Sequence, residues 1–114
     1  MLKLNHKKLT VWIKSAELVK EIYELTESLP PDEKFGLVSQ LRRASISVIS
    51  NFSEGASRKS LTERKRFFEI SRSSLVEIDT QIEICLRLEF ITNNEIKKLE
   101  QLANEVFAML SAMK

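Results

Sequence analysis

The chain has 114 residues, of which 43% are hydrophobic and 30% charged, with a formal net charge of +2. That is the size of one domain with enough apolar matter for one core, and with only 2 Gly and 2 Pro it is too poor in turn residues for a many-stranded sheet. No apolar run approaches the roughly 20 residues of a membrane span, "MLKLNHKKLTVW" carries no signal-peptide core, and the single Cys85 has no partner for an internal disulfide, so a cytoplasmic protein is expected.

The first eight residues, with Lys3, Lys7 and Lys8, read as a loose basic tail. Helix one is predicted from about Lys8 to Ser28. Its apolar row is Val11, Trp12, Ala16, Val19, Tyr23 (with Ile22) and Leu25, at three- and four-residue steps. Pro30 and Pro31 end it, because neither can donate a helical hydrogen bond. The same prolines suit a first helical turn, where Asp32 and Glu33 favour the positive end of the helix dipole. Helix two is therefore predicted from about Pro31 to Ala56, with Leu37 or Val38, Leu41, Ala44, Val48, Phe52 and Ala56 inside.

A capping box, Ser60-Leu-Thr-Glu63, opens helix three, whose row is Phe67, Ser71, Leu75, Ile78, Ile82, Cys85 and Leu86 or Leu88. A second box, Thr92-Asn-Asn-Glu95, opens helix four, with Ile96, Leu99, Ala103 (beside Leu102), Val106 and Leu110 aligned. Links this short make successive helices antiparallel neighbours. The expected fold is all-α, a single up-down-up-down four-helix bundle over residues 1–114.

"QLRRASISVISNFSEGASRK" is crowded with poor helix formers. Gln40, Arg43, Ser47, Asn51, Glu54 and Arg58 fall at steps of three and four and form one polar stripe beside the apolar one. Helix three offers a matching row, Glu69, Ser73, Glu77 and Thr80. Folding the pair about Lys59 brings Ser47 near Ser71 to Ser74 and Arg43 near Glu77. The expected polar seam is Arg43, Ser47, Asn51, Glu54, Ser73 and Glu77. A solvated face or an interhelix seam is the commoner use of such a stripe, with a ligand site as the alternative. Gly55 is expected to loosen helix two near its end.

Charge is uneven. Gln40 to Arg72 holds eight bases against three acids, a net of +5 that leaves −3 for the rest. Arg58, Lys59, Arg64, Lys65 and Arg66 surround the second turn and form the candidate anion or nucleic-acid site, since such clusters attract phosphate without reading sequence. No aromatic is interleaved to stack bases, because Phe67 falls on the core row. A solvated basic surface remains the alternative.

Catalytic and metal chemistry find no support. His6 is the sole histidine, and no Glu-x-x-His motif of a di-iron bundle is present. Glu69, Glu77, Asp79 and Glu83 read as a solvated acidic face rather than a Mg²⁺ site. Cys85 lies on an apolar row with no base to activate it. No cofactor is expected. Trp12 and Tyr23 share a face and suit either the core or a subunit interface. Leu18, Leu25, Ile46 and Ile49 lie off the main rows, which favours some association.

The stretch Arg43-Ala44, Ser47-Val48, Asn51, Glu54-Gly55 and Arg58 resembles the R-A-x-x-S-I-x-x-N-x-x-E-G-x-x-R pattern of a bacterial family, the 23S rRNA intervening-sequence proteins. "VWIKSAELVKEIYELTESLPPDEKFGLVSQ" and "FFEISRSSLVEIDTQIEIC" are similar to its first and third helices, so the likeness runs from about Leu9 onward. Ile49-Ser50 departs from a usual Pro-Ser, and Ser53 from a usual alanine. The resemblance implies a four-helix bundle assembled into a ring, often a homopentamer, without established catalytic activity. Similar proteins accompany diversity-generating retroelements, and one is thought to bind nucleic acid and a reverse transcriptase. The expected partners are therefore further copies of the chain, then RNA or DNA, and a reverse transcriptase or other protein, with no membrane.

Overall fold

A computed structural model describes residues 1–113. Its described residues form four α-helices, α1 (Thr10–Thr26), α2 (Leu37–Ser57), α3 (Leu61–Arg87) and α4 (Lys97–Ala112), with 3-10 turns at Asn5–Lys8 and Pro31–Glu33 and no strand. Each helix packs on its neighbours in chain order and α4 closes against α1, which is the expected up-down-up-down bundle. The 27 residues of α3 set the long axis of a body measuring 44 × 28 × 21 Å.

Two helix starts differ from expectation. Pro31, Asp32 and Glu33 form only a 3-10 turn, and α2 begins at Leu37. Gly36, outside the helical region at φ −110° and ψ −110°, breaks the path between them. Glu33 still serves the dipole, because its Oε1 accepts a hydrogen bond from the Leu37 amide at 3.3 Å. At the far end, Thr92 and Glu95 make the reciprocal box, with the Thr92 amide donating to Glu95 Oε1 at 3.0 Å and the Glu95 amide to Thr92 Oγ1 at 3.3 Å. The box closes a turn, and regular α4 starts only at Lys97. Ser60 caps α3 by accepting from the Glu63 amide.

The second half of the expected basic tail is folded. Asn5–Lys8 wind into a 3-10 turn whose His6 ring meets the Phe52 ring at 6.3 Å, while Met1–Leu4 are exposed without regular structure and Lys7 Nζ donates to the Leu2 carbonyl.

The buried face of α1 is Val11, Ser15, Leu18, Ile22 and Thr26. It is rotated from the predicted row, so Leu18 is fully buried and Tyr23 is exposed. Ser15 hid this face from a reading of apolar residues alone. Its hydroxyl is satisfied by the Val11 carbonyl at 2.6 Å, so it sits in the core with little penalty. Trp12 is half-buried and donates from Nε1 to Ser53 Oγ at 3.1 Å, tying α1 to α2.

On α3 the core aromatic is Phe68, not Phe67. Phe68 is buried and stacks on Phe52 at 5.5 Å. Gly55 makes room for it. A Cβ built on Gly55 would lie 2.7 Å from Phe68 Cε1 and 3.1 Å from Phe67 Cβ. This glycine does not loosen the helix; it lets α2 and α3 touch near their shared turn. Gly55→Ala gains about 1 kcal/mol of helix propensity and loses more to overpacking of about 1–3 kcal/mol, because Phe52 blocks retreat of the Phe68 ring. Urea unfolding should therefore show a net loss, and a variant more stable than the parent would mean that the ring moves aside freely. In the same assay Phe68→Ala should cost about 3–5 kcal/mol and Phe67→Ala much less.

Candidate functional site

The α2–α3 pair carries both candidate sets. Along its middle, small residues face each other and hydroxyls meet backbone. Ser71, fully buried, donates across to the Val48 carbonyl at 2.5 Å. Ser47 Oγ and Ser74 Oγ lie 2.8 Å apart, and Asn51 Nδ2 donates to both the carbonyl and the hydroxyl of Ser47 at 2.9 Å. Toward the far end, Arg43 Nη2 is 3.8 Å from Glu77 Oε1, and buried Gln81 donates to Gln40 Oε1 and Glu77 Oε1, each at 3.2 Å.

Two members expected in this seam lie outside it. Ser73 is exposed, because the inward positions of α3 are Ser71, Ser74, Leu75 and Ile78, and Ser73 points a quarter-turn away. Glu54 is exposed and pairs along its own helix with Arg58 at 3.2 Å. Gln81 was missed, since its long polar side chain gave no apolar signal, although its position three residues past Ile78 could have found it.

The seam is packing chemistry. Its hydroxyls are already bonded, Ser71 and Ser74 to carbonyls and Ser47 to Ser74 and Asn51. Cys85 is fully buried beside it in the core, and burial pushes its thiol above the usual range, with the Glu33 carboxylate adding to the rise. Among the described residues no group of three His, Cys, Asp or Glu side chains is placed to hold a metal ion, and no helix is long and apolar enough to cross a membrane.

The basic corner is built where α2 ends and α3 begins. Arg64 Nη1 donates to the Ala56 and Arg58 carbonyls at 3.1 and 3.2 Å, closing the C-terminus of α2. Arg58 is held between Glu54 and Glu63 at 3.2 and 3.9 Å. Phe67, freed from the core, receives Arg58 over its ring at 4.9 Å and Arg66 at 5.9 Å. An aromatic is thus interleaved with the bases, contrary to the sequence reading. Among the described residues no ion pair involves Lys59, Arg64, Lys65 or Arg66.

The other bases counted toward the local +5 are engaged elsewhere. Arg42 donates to Thr26 Oγ1 at 2.9 Å and covers the Tyr23 ring at 4.5 Å, at the opposite end of the bundle. Arg72 lies over Phe107 at 4.4 Å and donates to Ser111 Oγ, joining α3 to α4.

In their place come bases that sequence proximity did not reveal. Leu4 and His6 line a shallow hollow with Ile49, Ser53 and Ser57 along the last turns of α2. That docking brings Lys3, Lys7 and Lys8 to the end of the molecule that holds Lys59, Lys65 and Arg66. The antiparallel topology was the available signal, because it places the start of helix one beside the turn between helices two and three. At the opposite end Glu24, Glu27, Asp32, Glu33, Glu89 and Glu95 outnumber Lys34, Arg42, Arg87 and Lys97.

Residues 7–112 match the family model of the 23S rRNA-intervening sequence protein. The fold is similar to the crystal structure of a protein with unknown function from the S23 ribosomal protein family of Bacteroides thetaiotaomicron VPI-5482, with a TM-score of 0.81 and 23% identity over 90% of this chain and 92% of that chain. At that identity the likeness speaks for the fold alone. No curated protein matches the chain. As a check on the packing reading, an aromatic disulfide reagent at mildly alkaline pH should leave Cys85 unmodified in the folded protein and modify it in guanidinium. Rapid reaction of the folded protein would show that the core opens there.

Proposed function

We propose that this chain, which belongs to the 23S rRNA-intervening sequence protein family, is a cytoplasmic, non-enzymatic, homo-oligomeric bundle protein that binds RNA weakly through its basic end. One observation carries the reading: the docked N-terminal turn adds Lys3, Lys7 and Lys8 to the end that already holds Lys59, Lys65 and Arg66. Clustered lysines and arginines without ion-pair partners neutralise phosphates and release counterions, which gives affinity without sequence choice. Arg58 and Arg64 chiefly hold the corner in shape. DNA would be bound through the same phosphates.

Self-association follows the family resemblance, which implies a homopentameric ring. Exposed Ile46 on α2, Ile70 and Ile84 on α3 and Leu88 just past its end supply apolar surface for it. A second reading, an adaptor ring that docks a reverse transcriptase or another protein, is favoured by the apolar groove between α3 and α4.

Fluorescence anisotropy with labelled single-stranded RNA should show binding that falls on the order of a hundredfold between roughly 50 and 200 mM salt. Lys59→Gln combined with Lys65→Gln should lower the salt slope by about 0.7 for each phosphate no longer neutralised, and Lys7→Gln with Lys8→Gln should do the same. Absence of binding at low salt would remove the RNA reading. Sedimentation equilibrium should give one species at the pentamer mass, and a monomer at micromolar concentration would remove the ring.

A further inference from the structure

The α3–α4 interface is the loosest between chain neighbours, and α4 packs more closely on α1. Between α3 and α4 runs a groove of about 340 Å³. Its lining includes Leu75, Ile78 and Ile82 of α3, Leu99 and Phe107 of α4 and Ile96 just before α4. Val76 stands at its edge, half exposed. The rim carries Asp79, Glu83 and Glu100, all exposed, and no lysine or arginine lines the groove in a chain that has 18 of them. None of these three carboxylates takes part in an ion pair among the described residues, while Glu21, Glu54, Glu63, Glu69, Glu77 and Glu105 all do. Arg72, over Phe107, is held by Ser111.

We propose that this groove is a docking site for an amphipathic helix with a basic polar face, supplied by a partner protein. The inference deepens the adaptor reading above and is independent of RNA binding at the other surface. An apolar trough between two helices accepts side chains spaced i, i+3 or i+4 and i+7 from a third helix laid along it. Carboxylates left without partners on both banks select lysine or arginine on the flanks of that helix and repel an acidic one, so charge sets the choice and the apolar floor supplies affinity. The same carboxylates repel nucleic acid, which keeps the two surfaces distinct.

The probe is a fluorescein-labelled Leu/Lys amphipathic peptide of about four helical turns, titrated with the full chain and compared with its Leu/Glu counterpart. The Lys peptide should bind and the Glu peptide should not. Asp79→Lys with Glu83→Lys, or Glu100→Lys alone, should weaken the Lys peptide about tenfold or more. Glu17→Lys with Glu24→Lys, an equal reversal on α1, should leave it unchanged. Equal loss from the α1 reversal would overturn the proposal in favour of unspecific charge attraction. Groove-dependent binding of both peptides would overturn the basic helix and leave the adaptor reading standing. Binding of neither would overturn both. A groove closed by a second copy, seen as self-association that the Asp79, Glu83 or Glu100 reversals abolish, would also overturn it.

Discussion

The approach of α2 to α3 governs the rest of the molecule. Two helices can come this near only where side chains are small, and here Ser47 meets Ser74, Ser71 reaches the Val48 carbonyl and Gly55 receives Phe68. The serine hydroxyls are not stranded in a dry core, because the helical carbonyls nearby can each accept a second hydrogen bond. Ser71 uses the opposite helix's carbonyl and Ser74 its own. With α3 drawn onto α2, the slack in the bundle falls on its other side, where α4 is held chiefly by α1 and by the Lys14–Glu105 and Lys98–Glu21 pairs. The open groove is the counterpart of the tight seam.

The same closeness shapes the corner. Phe68 occupies the space over Gly55, and Phe67 beside it is half-buried under guanidinium groups. The register of α3 puts Phe68 on the inward face with Ser71 and Leu75, and the missing methyl group of Gly55 leaves room for its ring.

Much of the fold was legible in the sequence because helical periodicity, paired prolines and two capping boxes agree with one another. Elements and order were readable, and so was the register that puts Ser47 opposite Ser74 and Arg43 opposite Glu77. What failed did so for identifiable reasons. The face of α1 was misplaced because Ser15 and Thr26 are polar residues whose hydroxyls bond the preceding turn, so hydrophobicity undercounted the buried side. The start of α2 was misplaced because prolines and acids suit a 3-10 turn as well as an α-helix. The basic end was half read: charge summed along the sequence grouped Arg42 and Arg72 with the corner, although one lies at the other end and the other serves α4, and it left out three lysines that only the docked N-terminal turn brings in.

A body 44 Å long with bases gathered at one end and acids in excess at the other carries an electric moment along its axis. Its net charge of +2 understates how it meets another charged body. A polyanion would turn the molecule end-on before contact, and a polycation would turn it the opposite way, so orientation on encounter depends on the visitor's sign while the total charge hardly enters.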